Sequence, residues 1–204
     1  MALFAENEVR NKARDFIQKD RILKGRYYNR NADELLNEQT AALASSYQQE
    51  FDIFLSHSSK DAELILGVKI ILEELGYRVY VDWINDRQLS RDNVTPETAE
   101  TLRARMRSSK SLFYVTTQNT INSKWMPWEC GYFDGLKEKV AILPVKNEHE
   151  NYYYGQEYLG LYPYATKGLS EKLVNRLWIY QKDRSYLVFE AWISKKNSKL
   201  EWIR

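Results

Sequence analysis

Trp125 and Glu129 stand four residues apart in a stretch, 123–137, that reads as a helix, and that spacing stacks both side chains on one helical face. Glu129 falls near the start of the helix, where the partial positive charge of the N-terminus favours an ionised carboxylate. A carboxylate held in place beside a reacting centre stabilises positive charge that develops there. The plainer alternative is a glutamate that caps or decorates a surface helix. A second constellation is Ser56-His57-Ser58-Ser59-Lys60, directly after a strand-like run at 51–55. Its hydroxyls, backbone amides and lysine suit a pyrophosphate at a helix N-terminus, with Ser58, Ser59 and Lys60 as the candidate contacts. The same groups serve equally well as an ordinary helix cap. His57 reads as a packing or hydrogen-bonding residue rather than a general base. Cys130 reads as a small buried residue, because no histidine lies nearby in sequence to activate its thiol. Two distant histidines, His57 and His149, and one cysteine make no closed tetrahedral site, so no metal is expected.

These side chains need elements to hold them. Ser58 to Asp61 supplies capping residues before a helix whose Leu64, Val68, Ile71, Leu72 and Leu75 share a face. Gly76 sits at the expected C-cap position, and 77–81 is a second β-rich run. Thr95-Pro96 is an N-cap followed by proline at the first helical position, with Ala99, Leu102 and Met106 repeating at helical spacing. A third strand at 111–116 follows. The helix at 123–137 carries Pro127 in its first turn, where a missing N–H costs little, and 140–145 is a fourth strand. This βαβα alternation predicts an α/β fold: a central parallel sheet of about five strands with helices on both faces. Ligands in such folds bind beyond the carboxyl ends of the strands, where both constellations lie.

The flanks read differently from the core at 50–145. Residues 1–49 carry Val9, Ala13, Phe16 and Ile17 at helical spacing and read as a helical extension, packed on the core or used in self-association. Residues 146–204 read as an aromatic-rich extension that completes the core or packs on it. There, 156–162 is expected as a fifth strand, and 177–180 with 186–192 as a hairpin or a strand and short helix. Its aromatic residues, among them Tyr152, Tyr153, Tyr154, Trp178, Trp192 and Trp202, read as packing residues.

The 204 residues, 44% apolar and 14% aromatic, are enough for a buried core, and a mean hydropathy of −0.61 describes a strongly polar surface. With 30 basic and 28 acidic side chains the net charge is +2, so no nucleic-acid partner or acidic membrane surface is implied. No apolar run approaches the roughly 20 residues of a spanning helix, and a soluble, cytoplasmic protein is expected.

Three stretches occur in a telling order: FDIFLSHSSKDAE at 51–63, GYRVYVDW at 76–83 and SKWMPWECGYFDG at 123–135. Together they resemble the Toll/interleukin-1 receptor (TIR) domain of the bacterial, NAD-cleaving type, over about residues 50–145. The resemblance implies a flavodoxin-like TIR fold and an NAD+ glycohydrolase or cyclase that yields nicotinamide and ADP-ribose or a cyclic ADP-ribose-type product. It further implies a role in bacterial defence or signalling, and assembly as a homo-oligomer or with another TIR-containing partner. NAD+ is then a substrate, and no cofactor is required. The Trp-x-x-x-Glu match makes Glu129 the expected catalytic residue and Trp125 a substrate contact. Asp82 and Trp83, at the end of the second strand, are expected close to the nicotinamide riboside. Because neutral nicotinamide departs without protonation, one carboxylate suffices where glycosidases use two. The segment 84–94 lacks the glycine that many family members carry in the corresponding loop, which is compatible with a private partner. The alternative reading is a non-catalytic TIR interaction module. A phosphoacceptor receiver is disfavoured, because the first strand ends in Ser56-His57-Ser58 rather than clustered carboxylates. An FMN carrier is disfavoured because no glycine-containing phosphate loop follows that strand. A nucleoside deoxyribosyltransferase would also use a glutamate on such a fold, and free nucleosides beside NAD+ separate that option.

Overall fold

Strand-forming and helix-forming stretches alternate along the chain, and most changes of pattern coincide with a capping residue, a glycine or a proline. The structure is a computed structural model that describes residues 4–25, 30–44, 50–81, 96–146, 157–170 and 172–204. In chain order the elements are β1 (Phe4–Ala5), α1 (Glu6–Lys24), α2 (Ala32–Ala44), β2 (Phe51–Ser56), α3 (Ala62–Glu74), β3 (Val79–Val81), α4 (Pro96–Arg107), β4 (Ser109–Thr116), α5 (Trp125–Lys137), β5 (Val140–Lys146), β6 (Tyr164–Leu169), β7 (Asn175–Tyr180), β8 (Tyr186–Val188) and α6 (Phe189–Ser194).

The strands form one sheet in the order β3-β2-β4-β5-β6-β7-β8, parallel from β3 to β6 and antiparallel thereafter. β1 pairs in parallel with the last two residues of β5. Five parallel strands flanked by helices match the expected α/β architecture. β2 has β3 on one side and β4 on the other, so the chain reverses its direction of travel across the sheet at β2, the kind of switch point beyond whose carboxyl end ligands bind in such folds.

Alternate residues along each strand serve two apolar layers. Ile53, Leu55, Phe113, Val115, Ala141 and Leu143 face α1, α2, α3 and α6, whereas Phe54, Leu112, Tyr114 and Ile142 face α4 and α5. α3 ends as its glycine suggests. Gly76 takes φ 93°, its N–H donates to the Glu73 carbonyl at 2.9 Å, and the Tyr77 N–H donates to Leu72 at 3.2 Å, which satisfies two orphan carbonyls. α1 packs on α3 so closely that a Cβ added at Gly67 would lie 2.0 Å from the Val9 carbonyl oxygen. Arg10 and Arg14 hold Glu63, in the first turn of α3, at 2.7 and 2.6 Å.

Two features depart from the expected pattern. Residues 157–161 form a 3-10 turn rather than a strand, with Leu159 buried and Leu161 80% exposed, and pairing begins only at Tyr164. Pro163 explains the late start: it has no N–H for a ladder and contributes only its carbonyl, which accepts from the Ile142 N–H at 2.8 Å. The short β1 carries no sequence signal of its own. Further on, β7, β8 and α6 combine both options for the tail, a hairpin whose second strand runs directly into a short helix. Asp82, Trp83, the 84–94 segment and Tyr152 to Tyr154 lie outside the described residues. No helix among the described residues is long and apolar enough to cross a membrane.

Candidate active site

α5 begins just past the carboxyl edge of the sheet. The Ser123 hydroxyl accepts from the Met126 N–H at 3.3 Å, and Pro127 occupies the third helical position, where its missing N–H leaves no helical bond unmade. Met126, Cys130 and Phe133 bury one face of the helix against the sheet. Glu129 is only 3% exposed and accepts a 2.6 Å hydrogen bond at Oε2 from the hydroxyl of Ser56, the last residue of β2. It lies one full turn into α5, where the N-terminal field has largely faded, so the Ser56 hydroxyl is the nearer support for a carboxylate.

Trp125 is half-buried on the same helix and meets Trp128 edge to face, with centroids 5.4 Å apart. Trp128 stacks on Tyr132 at 5.7 Å, and the Arg103 guanidinium of α4 lies 5.5 Å from the Trp128 ring. Trp128 and Tyr132 therefore cover the margin of the core rather than filling its interior.

The loop after β2 uses its polar groups locally. Ser58, 5% exposed, accepts from the Lys60 N–H at 3.4 Å, which is the capping role, while the side chains of Ser59 and Lys60 are exposed. His57 is buried with Nδ1 3.0 Å from the Leu55 carbonyl. Asp61, read from the sequence only as part of the helix cap, has a longer reach. It is 6% exposed and accepts from Thr117 Oγ1 and Asn119 Nδ2, each at 2.6 Å, tying the loop after β2 to the loop after β4. Cys130 is buried, and desolvation pushes its thiol up to about 11, opposed by the neighbouring Tyr162 hydroxyl and reinforced by the charges of Asp134 and Glu129. A thiol held neutral in this way is not a nucleophile.

The geometry thus brings Ser56, Glu129 and Trp125 to the carboxyl edge of the sheet at its switch point, with the Ser58 to Lys60 loop following β2 there. The family model described as "TIR domain" matches residues 53–174, more than half of the chain. The chain belongs to the TIR family. Among relatives of this TIR chain, a Bacillus cereus (strain MSX-D12) protein is 45% identical over 199 residues, 96% of this chain and 100% of the relative, and bears the name "Probable 3' cyclic ADP-D-ribose synthase ThsB'". A Cytobacillus dafuensis protein, named provisionally as the cyclic ADP-D-ribose synthase TIR2, is 31% identical over 101 residues, 49% of this chain and 27% of that protein.

Proposed function

We propose that this TIR chain cleaves the nicotinamide–ribose bond of NAD+ and releases nicotinamide and a cyclic ADP-ribose-type product, with NAD+ as substrate and no resident cofactor. The observation that carries this reading is the buried Glu129 carboxylate at the switch point of the sheet, on the helix that also presents Trp125. The full-length likeness to a protein named as a 3' cyclic ADP-D-ribose synthase supports the choice of substrate.

The chemistry asks little of the protein beyond electrostatics. As the C1′–N bond breaks, its electron pair leaves with nicotinamide, which becomes neutral, and the ribose takes on oxocarbenium character. A fixed carboxylate beside C1′ stabilises that charge, and no acid is needed for the leaving group. An atom of the same molecule then attacks C1′ and sheds any proton it carried to solvent, closing a ring; attack by water gives ADP-ribose instead. Trp125 walls the reacting sugar in this reading, Asp82 and Trp83 contact the nicotinamide riboside, and the loop of Ser58, Ser59 and Lys60 receives the pyrophosphate. A small diffusible cyclic product suits bacterial signalling or defence, and assembly with a second TIR domain belongs to the same proposal.

The test is nicotinamide release from NAD+ by wild-type and Glu129→Gln protein over a concentration series, with the nucleotide product separated by chromatography. Loss of the charge should lower kcat by about 10²- to 10³-fold. Unchanged turnover in the variant would remove Glu129 from the mechanism. No release from either protein at any concentration would favour the interaction-module reading.

A further inference from the structure

We propose that Ser56 is a positioning residue for Glu129, holding the carboxylate in one orientation and in its ionised form. The inference rests on the functional reading above and adds to it a residue that makes no contact with substrate.

Ser56 pairs with Tyr114 across β2 and β4, two places beyond the Phe54–Leu112 pair, so its side chain points to the face that α4 and α5 cover. Phe54, Leu112 and Tyr114 all belong to the apolar layer on that face, and a serine in their row is an exception to the pattern. At 1% exposure its hydroxyl has no water to bond, and a polar group desolvated to that degree needs a partner. The partner is Glu129 Oε2 at 2.6 Å, a distance typical of a hydroxyl donating to a charged carboxylate. Glutamate otherwise rotates about three side-chain bonds, and one short bond at Oε2 removes most of that freedom. A donor at that oxygen also favours the anion over the acid. Both effects serve a reaction that needs a charged carboxylate beside a sugar turning cationic. The two residues are 73 positions apart and meet only because β2 ends where α5 crosses the sheet edge.

Among the described residues, the titratable groups on this side of the sheet include Cys130 and Asp134 on α5, His57 after β2, Tyr114 on β4, and the tyrosines of the same apolar layer, Tyr80, Tyr132, Tyr158, Tyr162 and Tyr164. The experiment compares wild type, Ser56→Ala, Ser56→Thr and Glu129→Gln for kcat, KM and the pH dependence of kcat. Each protein is also followed by carboxyl ¹³C NMR, with the Glu129 resonance identified by its absence in Glu129→Gln. Ser56→Ala should lose on the order of 10- to 100-fold in kcat with KM nearly unchanged. The Glu129 titration and the acid limb of kcat should both move to higher pH. Ser56→Thr, which keeps the hydroxyl, should recover most of the loss. Thermal melts check the fold, and if the alanine variant does not fold, the near-isosteric Ser56→Cys carries the comparison. Full turnover in Glu129→Gln would remove the functional reading. An inactive Glu129→Gln beside a Ser56→Ala with wild-type kcat and an unmoved Glu129 titration would overturn this inference alone.

Discussion

Cys130 follows Glu129 on α5, and what surrounds each decides its chemistry. Glu129 meets a hydroxyl donor, whereas desolvation raises the Cys130 thiol to about 11. At pH 8 such a thiol holds roughly a hundredth of the thiolate of an ordinary cysteine, and burial slows reagent access further. A disulfide reagent added to native protein at pH 8 should therefore label Cys130 at least about 100-fold more slowly than the urea-unfolded chain. Rapid native labelling would mean that the α5 face opens readily and that the Glu129 environment is wetter than its 3% exposure suggests. What was readable at this scale followed the range of each interaction. Trp125 and Glu129 stand out because helical geometry links positions four apart, and the Ser58 cap because it acts on Lys60 two residues on. The Ser56–Glu129 and Asp61–Thr117 bonds span 73 and 56 positions and leave no local trace in a single sequence.

Elements are held at two kinds of junction, and each yields a prediction. Gly67 lets α1 lie against α3, with the Val9 carbonyl where a Cβ would otherwise sit at 2.0 Å. A backbone atom yields less than a side chain, so Gly67→Ala should separate the helices and cost about 1–3 kcal/mol in urea unfolding, with faster amide exchange across α1. An unchanged midpoint would show that α1 shifts at little cost. Asp52 stitches the amino ends of three strands by accepting from the Arg78 N–H and from Lys110, each at 2.9 Å. Burial pushes its pKa upward, but these donors outweigh burial and leave it below the ordinary aspartate value. A depressed carboxyl stabilises the fold above its unfolded pKa of about 3.9, and that stability is lost as pH falls through the folded value. Wild type should thus exceed Asp52→Asn by about 1 kcal/mol at pH 7, and the gap should narrow as pH falls below the unfolded aspartate value of about 3.9. A gap that does not narrow at all on acidification would assign the effect to shape rather than charge. Elements were legible wherever a local signal marked them, as Gly76 marks the end of α3 and Pro96 the start of α4. Residues 157–161 misled because an aromatic-rich run reads as strand, while the position of Pro163 decides where pairing can begin. β1 was invisible because two residues carry no period at all.

The chain as a whole joins both flanks to one sheet. β1 extends β5 from the N-terminal side, and β6, β7 and β8 continue the sheet from the C-terminal side, so the stretch 50–145 supplies only β2 to β5 and part of the apolar layer on either face. Phe4, Val9, Leu35 and Leu36, all 2% exposed or less, enter that layer from the N-terminal segment. At about 1.5–3 kcal/mol per buried side chain of this size, they contribute roughly 6–12 kcal/mol, an upper range because unfolded chains already bury some surface. That equals most of the roughly 5–15 kcal/mol by which a domain is stable, so no large surplus remains if the segment is removed. The likeness to the Bacillus cereus protein runs over 96% of the chain, as expected if the flanks belong to the folding unit rather than being appended to it. A fragment of residues 50–145 should accordingly fail to give a cooperative thermal transition and should bind a hydrophobic dye. Fragment 50–204 should melt far below the full chain and should regain its transition when a separate 1–49 peptide is added. The second result distinguishes lost packing from irreversible misfolding, because the peptide restores Phe4 to β5 and α1 to the Gly67 face without any covalent link. A 50–145 fragment that melted cooperatively with native circular dichroism would show that the central strands fold without their neighbours, and the flanks would then be open to adaptation independently of the edge that carries Glu129.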